Sequence, residues 1–456
     1  MDLTIGVLGF VAVLVLGILR VPVAVAMAVV GLAGGAALGG LDGILYLSGT
    51  LPYDAVSPYG LSVVPLFVMM GVFAGRAGLS RALYDVADLL VGRFRGGLAM
   101  ATIGASAGFG AICGSSLATC ATIGKVALPE MRRHGYPDDL AAGAVAAGGT
   151  LGVLIPPSVI IVLYALITEQ SIGALFAAAL VPGLIATLYY MIAARISARR
   201  LPRRGERPQE AAQKRGDYTQ EAAQKRGDYA QEAAQKRGGG LRLLAIADIV
   251  VLFGLVIGGI YAGLFSPTEA AAIGAGGAAL LAWVRGGLKG GELRGAMVET
   301  ALTSGMIFLI LIGAALFNYF VETSGLPQAL VGAIAAAGLG QLEVILLLVA
   351  FYLVLGCFMD SMSMVLLTVP AVFPLIQANG IDPIWFGILL VTVVELGLIT
   401  PPIGMNLFVL KGIDARLDLG VVIRGVLPFI GADVVRVVTL IALPQVVLFL
   451  PHLLGF

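Results

Sequence analysis

Much of this chain is written twice. Gly78-Leu79-Ser80-Arg81-Ala82-Leu83 returns as Gly325-Leu326-Pro327-Gln328-Ala329-Leu330, and Leu151-Gly152-Val153-Leu154-Ile155-Pro156-Pro157 returns as Leu396-Gly397-Leu398-Ile399-Thr400-Pro401-Pro402. Pro129 and Gly135 answer Pro374 and Gly380, with no gap needed from there to the Pro-Pro pairs. Internal duplication of apolar segments interrupted by Gly and Pro is the pattern of secondary transporters, whose substrate and ion sites lie where broken helices meet.

The solvent follows from composition. Hydrophobic residues make up 59% of the chain and charged residues 12%, too little polar material to clothe a water-soluble body, so the expected class is an all-α polytopic membrane protein. The net charge of +1 carries no sign of nucleic acid as a partner. Cys113, Cys120 and Cys357 lie in apolar stretches and read as small buried hydrophobes, and with only His134 and His452 beside them a metal centre is not expected.

Lys and Arg then orient the spans. The apolar run Leu3 to Leu19 has no basic region before it and is followed by Arg20, so it reads as a retained first span with its start outside and its end in the cytoplasm. The loop 42–59 carries Asp42 and Asp54 but no Lys or Arg, and the span that follows ends at Arg76, Arg81, Arg93 and Arg95. Leu79 to Val91 reads as an amphipathic helix along the cytoplasmic interface. Two apolar arms, Leu98 to Cys113 and Leu117 to Leu128, surround Gly114-Ser115-Ser116 and exit at Lys125, Arg132 and Arg133, the pattern of a re-entrant hairpin. The segment 195–242 holds 13 of the 28 Lys and Arg residues and is the strongest cytoplasmic marker. From Val321 to Asp382 there is neither Lys nor Arg, so the second copy opens from the outside and the copies are inverted. Both chain ends are expected outside. Arg436, inside the last span Leu427 to Leu450, breaks the pattern, and a partner subunit's polar group is one candidate to satisfy it.

The expected organisation is N-terminal scaffold helices over 1–77, a first repeat over 78–194 and a basic linker over 195–242. Scaffold helices follow over 243–320, the second repeat over 321–412 and a final helix over 413–456. Within the linker an 11-residue repeat starts at Gln209, Gln220 and Gln231; with a Gly in each copy and no large aliphatic residue, it reads as a solvated spacer.

Chemistry is expected where helices break. Backbone groups freed at Gly114-Ser115-Ser116, Pro156-Pro157 and Thr400-Pro401-Pro402 would each cost several kcal/mol if left unpaired in hydrocarbon. Half-helix N-termini can hold an anionic group, and unwound carbonyls with neighbouring hydroxyls can hold sodium. One Pro-Pro pair alone is better read as a kink, but two in register within an inverted repeat favour function.

The residues at these breaks carry a resemblance. Ser106-Ala107-Gly108-Phe109-Gly110-Ala111-Ile112-Cys113-Gly114-Ser115-Ser116-Leu117-Ala118-Thr119 with Pro129-Glu130-Met131, and Gly148-Gly149-Thr150 through Pro156-Pro157-Ser158, resemble the large (DctM-like) membrane subunit of tripartite ATP-independent periplasmic (TRAP) transporters. So do Phe265-Ser266-Pro267-Thr268-Glu269-Ala270 and Glu395 through Thr400-Pro401-Pro402-Ile403-Gly404-Met405-Asn406-Leu407-Phe408. The resemblance implies an elevator carrier of the ion-transporter superfamily, with two re-entrant hairpins and two broken transmembrane helices. It further implies Na+ as coupling ion, no other cofactor, and residence in the bacterial inner membrane. The implied partners are a small four-helix membrane subunit, a periplasmic substrate-binding protein and an organic anion, commonly a carboxylate. By motif, the substrate and ion sites fall at Gly114, Ser115, Ser116 and Thr119 with Thr150, Gly152, Pro156 and Pro157. In the second copy they fall at Asp360, Ser361 and Ser363 with Thr400, Pro401, Pro402, Gly404 and Asn406. Val393 departs from the family, which often has Asn there.

Asp360 is expected to order the second tip or an ion site, with a helix-capping carboxylate as the plain reading, and Glu395 to steady the second break through backbone amides. Lys125 and Glu130 are expected to pair or snorkel at the interface. No Lys or Arg is placed at either break. An enzyme is not expected: an intramembrane hydrolase would need a base beside Ser115 or Ser116, and no His lies in a span. A stand-alone anion carrier working without a binding protein is the remaining alternative, and a passive channel explains paired hairpins less well.

Overall fold

The computed structural model describes residues 3–19, 21–200 and 239–456; Arg20 and the 11-residue repeats lie outside the described residues. The described residues of the first copy are α5 (Leu79–Val91), α6 (Gly97–Cys113), α7 (Ser116–Arg133), α8 (Asp138–Leu154), α9 (Val159–Ile167) and α10 (Ile172–Ser197). The second copy has α14 (Leu326–Ala336), α15 (Gln341–Gly356), α16 (Ser361–Ala378), α17 (Pro383–Ile399), α18 (Met405–Ile413) and α19 (Leu419–Ala442). Before the first stand α1 (Leu3–Ile18), α2 (Val23–Gly39), α3 (Leu41–Val56) and α4 (Val63–Arg76); between them stand α11 (Gly239–Tyr261), α12 (Pro267–Val284) and α13 (Glu292–Ser324), and α20 (Gln445–Leu454) ends the chain.

The duplication survives to the level of single caps. Helices α7 and α16 are 18 residues each, α8 and α17 are 17 each, and α9 and α18 are nine each. Gly78 and Gly325 take left-handed φ of 73° and 74° at the starts of α5 and α14. At the starts of α7 and α16, the Ser115 hydroxyl accepts from the Ala118 amide and the Asp360 carboxylate from the Ser363 amide, each satisfying one of the donors a helix N-terminus leaves free. Both Pro-Pro bonds, 156–157 and 401–402, are cis.

α8 and α17 are enclosed around their whole circumference. Every residue from Leu140 to Leu154 and from Trp385 to Ile399 is buried, as expected of a helix enclosed on all sides. α8 packs on α6, α7 and α19; α17 packs on α15, α16 and α19. The short helices cross over: α18 of the second copy packs on α7 of the first, and α9 of the first on α16 of the second. A second body is built by α2, α3 and α4 against α12 and α13. Five described helices are long and apolar enough to cross a membrane, six if α8 and α9, bent by 40° at their break, form one span. Large apolar side chains such as Leu8, Leu184, Val250 and Leu302 face outward, a surface suited to lipid and unsuited to water.

Three expectations change. Residues 42–56, expected as loop, belong to α3; Pro52 lies inside that helix and its lone amide loss is tolerated. The last span is two helices, because Leu443 leaves helical geometry (φ −129°, ψ 70°) just before Pro444, so α19 stops at Ala442 and α20 starts at Gln445. Arg436 needs no partner subunit: it pairs within the chain with Glu395 and Asp433.

An ion cluster ties the base of the first hairpin to the second copy. Arg132, near the end of α7, contacts Asp138 Oδ1 at 2.7 Å and pairs with Asp414, which follows α18, while Arg416 Nε lies 2.9 Å from Asp414 Oδ1. Hydrogen bonds from Arg416, then Arg132, hold the Asp414 carboxyl well below the usual carboxylate range. A lowered folded-state pKa stabilises the fold above the unfolded value of about 4 and loses that effect as pH falls through the folded value. Asp414→Asn should therefore lower the thermal midpoint near pH 7 and flatten its fall on acidification below pH ~4, measured on purified protein by calorimetry; an unchanged midpoint would show that the cluster contributes nothing.

Candidate functional site

The first helical hairpin turns in two residues. α6 ends at Cys113, Gly114 takes φ +64°, which only glycine adopts without a steric penalty, and Ser115 caps α7. The turn is then seated on the first break. A Cβ on Gly114 would sit 2.8 Å from the Pro157 carbonyl oxygen, and one on Gly152 would sit 2.5 Å from Thr119 Oγ1 and 2.8 Å from the Ser115 carbonyl oxygen. The hairpin and the broken helix thus meet through backbone, and Gly152 is there because no side chain fits. The second copy repeats the device with Gly397 against Gly356, where a Cβ would lie 2.6 Å from the neighbouring Cα.

The second break brings two carbonyl oxygens close to one glycine. α17 ends at Ile399, and Thr400 Oγ1 donates to the Leu396 carbonyl at 2.6 Å. The amide of Gly404 donates to the Cys357 carbonyl at 3.3 Å, fastening the break to the end of α15. The carbonyl oxygens of Thr400 and Leu398 lie 3.1 and 3.2 Å from where a Gly404 Cβ would be.

Asn406, the second residue of α18, reaches across to the first copy. Its Nδ2 donates to Ser116 Oγ and to the Ala146 carbonyl, both at 3.0 Å, and its Oδ1 is 3.2 Å from Ser116 Oγ. The Cys120 thiol donates to the Asn406 carbonyl at 3.8 Å. The site residues named from sequence therefore fall into three places. Gly114, Ser115 and Thr119 gather with Gly152 and Pro157 at the first break, beside Pro156. Ser116 and Asn406 form the bridge between copies. Thr400, Pro401, Pro402 and Gly404 form the second break, and Asp360, Ser361 and Ser363 start α16 after the second turn. Thr119 Oγ1 is buried beside the first break and has no partner in good hydrogen-bond geometry. Asp360 caps its helix through the Ser363 amide at 3.0 Å. Glu130 pairs with Arg133 at 3.6 Å and with His134 at 3.4 Å.

Thr150 leads away from the first break to groups the sequence did not join. Its hydroxyl donates to the Ala147 carbonyl at 2.8 Å and lies 3.1 Å from the Tyr190 hydroxyl, which donates to Asp433 Oδ2 at 2.5 Å. Arg436 Nη2 completes the line, 3.2 Å from Glu395 Oε2 and 3.0 Å from Asp433 Oδ1. No Lys or Arg was expected at either break; folding brings Arg436 against Glu395, five residues before Thr400. Arg436 and Asp433 were legible only as an i, i+3 pair on one helix.

The bridge yields a quantitative expectation. Asn406→Ala and Ser116→Ala should each destabilise the chain by about 1–3 kcal/mol through an unmet buried polar group. The double variant should show a coupling of about 0.5–3 kcal/mol by thermal unfolding. Strict additivity would mean that the two side chains do not share this contact.

Residues 10–446 match the profile of the tripartite ATP-independent periplasmic transporter, DctM component. The C4-dicarboxylate TRAP transporter large permease protein DctM of Pseudomonas aeruginosa is 36% identical over 409 residues, covering 88% of each chain. The sialic acid large permease protein SiaM of Vibrio cholerae is 31% identical over 88% of each chain, and the ectoine large permease protein TeaC of Halomonas elongata is 30% identical over 87% of each. These three are named as transporter permease subunits, not as enzymes. The crystal structure of the YdaH transporter of Alcanivorax borkumensis superposes with a TM-score of 0.61 at 16% identity, covering 95% of this chain and 98% of that one. MtrF of Neisseria gonorrhoeae superposes with a TM-score of 0.60 at 16% identity, covering 90% and 85%. At that identity the likeness speaks for fold alone.

Proposed function

Since the chain belongs to the DctM family of TRAP transporter large permease subunits, we propose that it imports an organic anion into a bacterial cell across the inner membrane, driven by a sodium gradient and moved by an elevator mechanism. A periplasmic binding protein delivers the anion, and a small four-helix subunit completes the membrane complex. Two relatives, named permease protein DctMQ and permease protein SiaT, extend well beyond the match, which covers 59% and 61% of them; this supports a second membrane component beside the matched region. The names of relatives span dicarboxylates, sialic acid, isethionate and ectoine. The first three are anions, and a carboxylate is the substrate class we favour.

The observation that carries the reading is the crossed pair of breaks. Each broken helix offers unwound backbone to a hairpin turn of its own copy, and each half-helix packs on the other copy's hairpin. At the first break Thr119 Oγ1 beside the Ser115 carbonyl, and at the second the Thr400 and Leu398 carbonyls, are oxygen sets suited to sodium, a cation that favours oxygen donors. The anion would lie between them, held by the α7 and α16 N-termini, the hydroxyls of Ser116, Ser361 and Ser363, and bound sodium. In the proposed cycle α6 to α9 and α15 to α18 move as one body against α1 to α4 and α11 to α13, and the hairpins re-enter from opposite faces.

Uptake of labelled carboxylates and sugar acids into proteoliposomes holding this chain and its small subunit tests the reading. Accumulation should require both the sodium gradient and the binding protein. Sodium-driven uptake without the binding protein would favour a stand-alone anion carrier, and uptake indifferent to sodium would remove the coupling. The elevator has its own test: Phe10 of α1 and Phe351 of α15 lie with ring centroids 6.5 Å apart across the two bodies. In a cysteine-free background, Phe10→Cys with Phe351→Cys, joined by a reducible bis-methanethiosulfonate linker, should lose more than 90% of uptake and regain it on reduction. Crosslinked protein transporting at full rate would sink the elevator.

A further inference from the structure

The groups around Arg436 do not balance. Glu395 and Asp433 are two carboxylates, Arg436 is one guanidinium, and the three are 0% exposed. With all three ionised, one excess negative charge would stand in an apolar interior, where an uncompensated charge is lost in favour of its neutral form.

The partners say where the neutralising charge goes. Asp433 has the stronger setting as an anion: its Oδ2 accepts from the Tyr190 hydroxyl at 2.5 Å, and its Oδ1, without an aligned donor, lies 3.0 Å from Arg436 Nη2. Glu395 has no hydroxyl donor. Its Oε2 shares that same Nη2 at 3.2 Å, and its Oε1 is buried with no donor. The guanidinium is turned to face the Tyr190 ring, 5.9 Å from its centroid, and leaves Nε and Nη1 without acceptors. Facing groups on neighbouring helices are Thr150 of α8, Tyr190 of α10, and Asp433 and Arg436 of α19. Among other titratable groups on helices packed against α17, Tyr164 of α9 donates to the Pro383 carbonyl, Tyr352 of α15 accepts from Thr368, and Lys411 of α18 donates to the Leu417 carbonyl. Glu343 of α15 and His452 of α20 are exposed. Two unfilled carboxylate oxygens beside a guanidinium make a poor metal site, since a metal cation prefers several oxygens and is repelled by the arginine.

We propose that Glu395 holds a proton in the folded chain, so that Glu395, Asp433, Arg436, Tyr190 and Thr150 form a buried proton-binding site linking the two broken helices. Water is the source of the proton, and the carboxylate of Glu395 is where it binds. The site is distinct from the sodium and anion places proposed above, and it stands or falls without them. It gives the transport body an internal group whose charge changes whenever water reaches the line from Thr150 to Glu395.

Infrared difference spectroscopy on the purified full-length protein reads this directly. At neutral pH, where exposed carboxyls are ionised, the wild type should show a protonated-carboxyl C=O band that shifts in deuterium oxide. Glu395→Gln should abolish it, Asp433→Asn should move it, and the thermal midpoint of Glu395→Gln should stay within about 2 °C of the wild type, because the amide mimics a neutral acid. Absence of the band in the wild type overturns the proposal even if no variant folds, as does its survival in Glu395→Gln. A band present in potassium but removed by sodium would mean that a metal ion, not a proton, neutralises the pair, and would overturn it equally.

Discussion

An interrupted helix inside an apolar body has to find partners for the backbone groups its interruption frees, and most of this structure follows from that need. A free amide or carbonyl in such an interior costs several kcal/mol. Here backbone meets backbone: Gly404 donates to the carbonyl of Cys357, and the carbonyls of Ser115 and Pro157 face Gly152 and Gly114 across gaps that a methyl group would fill. Such closeness excludes side chains, which is why glycines cluster at the hairpin turns and one turn before the prolines. The same polar backbone that has to be shielded is what can meet an ion or an anion when shielding is partial.

That constraint explains what was legible in the sequence. Glycines and prolines report backbone geometry directly, so the duplication, the turn at Gly114 and both Pro-Pro breaks were readable from one chain. The equal lengths of α7 and α16, and of α8 and α17, follow from the gap-free spacing between Pro129 and Pro157 and its echo. What the sequence hid was lateral. Arg436 looked orphaned because Glu395 lies 41 residues earlier on an adjoining helix, and no periodicity reports which faces of two buried helices touch. Tyr190 was invisible for the same reason, since a buried Tyr reads as core until a third group meets it, and Thr150, named by motif, gave no sign of its contact with Tyr190. Residues 42–56 were misread because absent Lys and Arg with scattered Asp mark the side of a membrane and say nothing against a helix.

Polar groups inside this protein are arranged by depth of commitment. Asn406 is engaged on both ends of its amide with Ser116 and Ala146, as a locked joint between copies should be, since a half-satisfied buried amide is worse than none. The break itself is looser: Thr119 Oγ1 has no partner in good hydrogen-bond geometry, and the Thr400 and Leu398 carbonyls both lie close to Gly404. The fully met amide of Asn406 holds the two copies together. Ser116 and Thr119 stand within four residues of the same turn, yet the first is hydrogen-bonded to the other copy and the second is not.

The crossing of the half-helices then limits how the core can move. α18 from the second copy lies on α7 of the first, and α9 from the first lies on α16 of the second. Sliding one hairpin against the other would strip Asn406 from Ser116 and expose α8 and α17, whose residues from Leu140 to Leu154 and from Trp385 to Ile399 are buried throughout. Polar ties leave this core towards α10 and α19, through Tyr190, Arg436 and the Trp385 indole, whereas α4 and α6 meet with Gly71 abutting Cys113. A smooth apolar face can slide past another at little cost, because every apolar neighbour it leaves behind is replaced by a similar one, whereas directional hydrogen bonds cannot be exchanged in that way. A core whose halves are welded by polar contacts is physically suited to rigid displacement as one body, which argues against a rocking of its two halves and is consistent with the elevator proposed above.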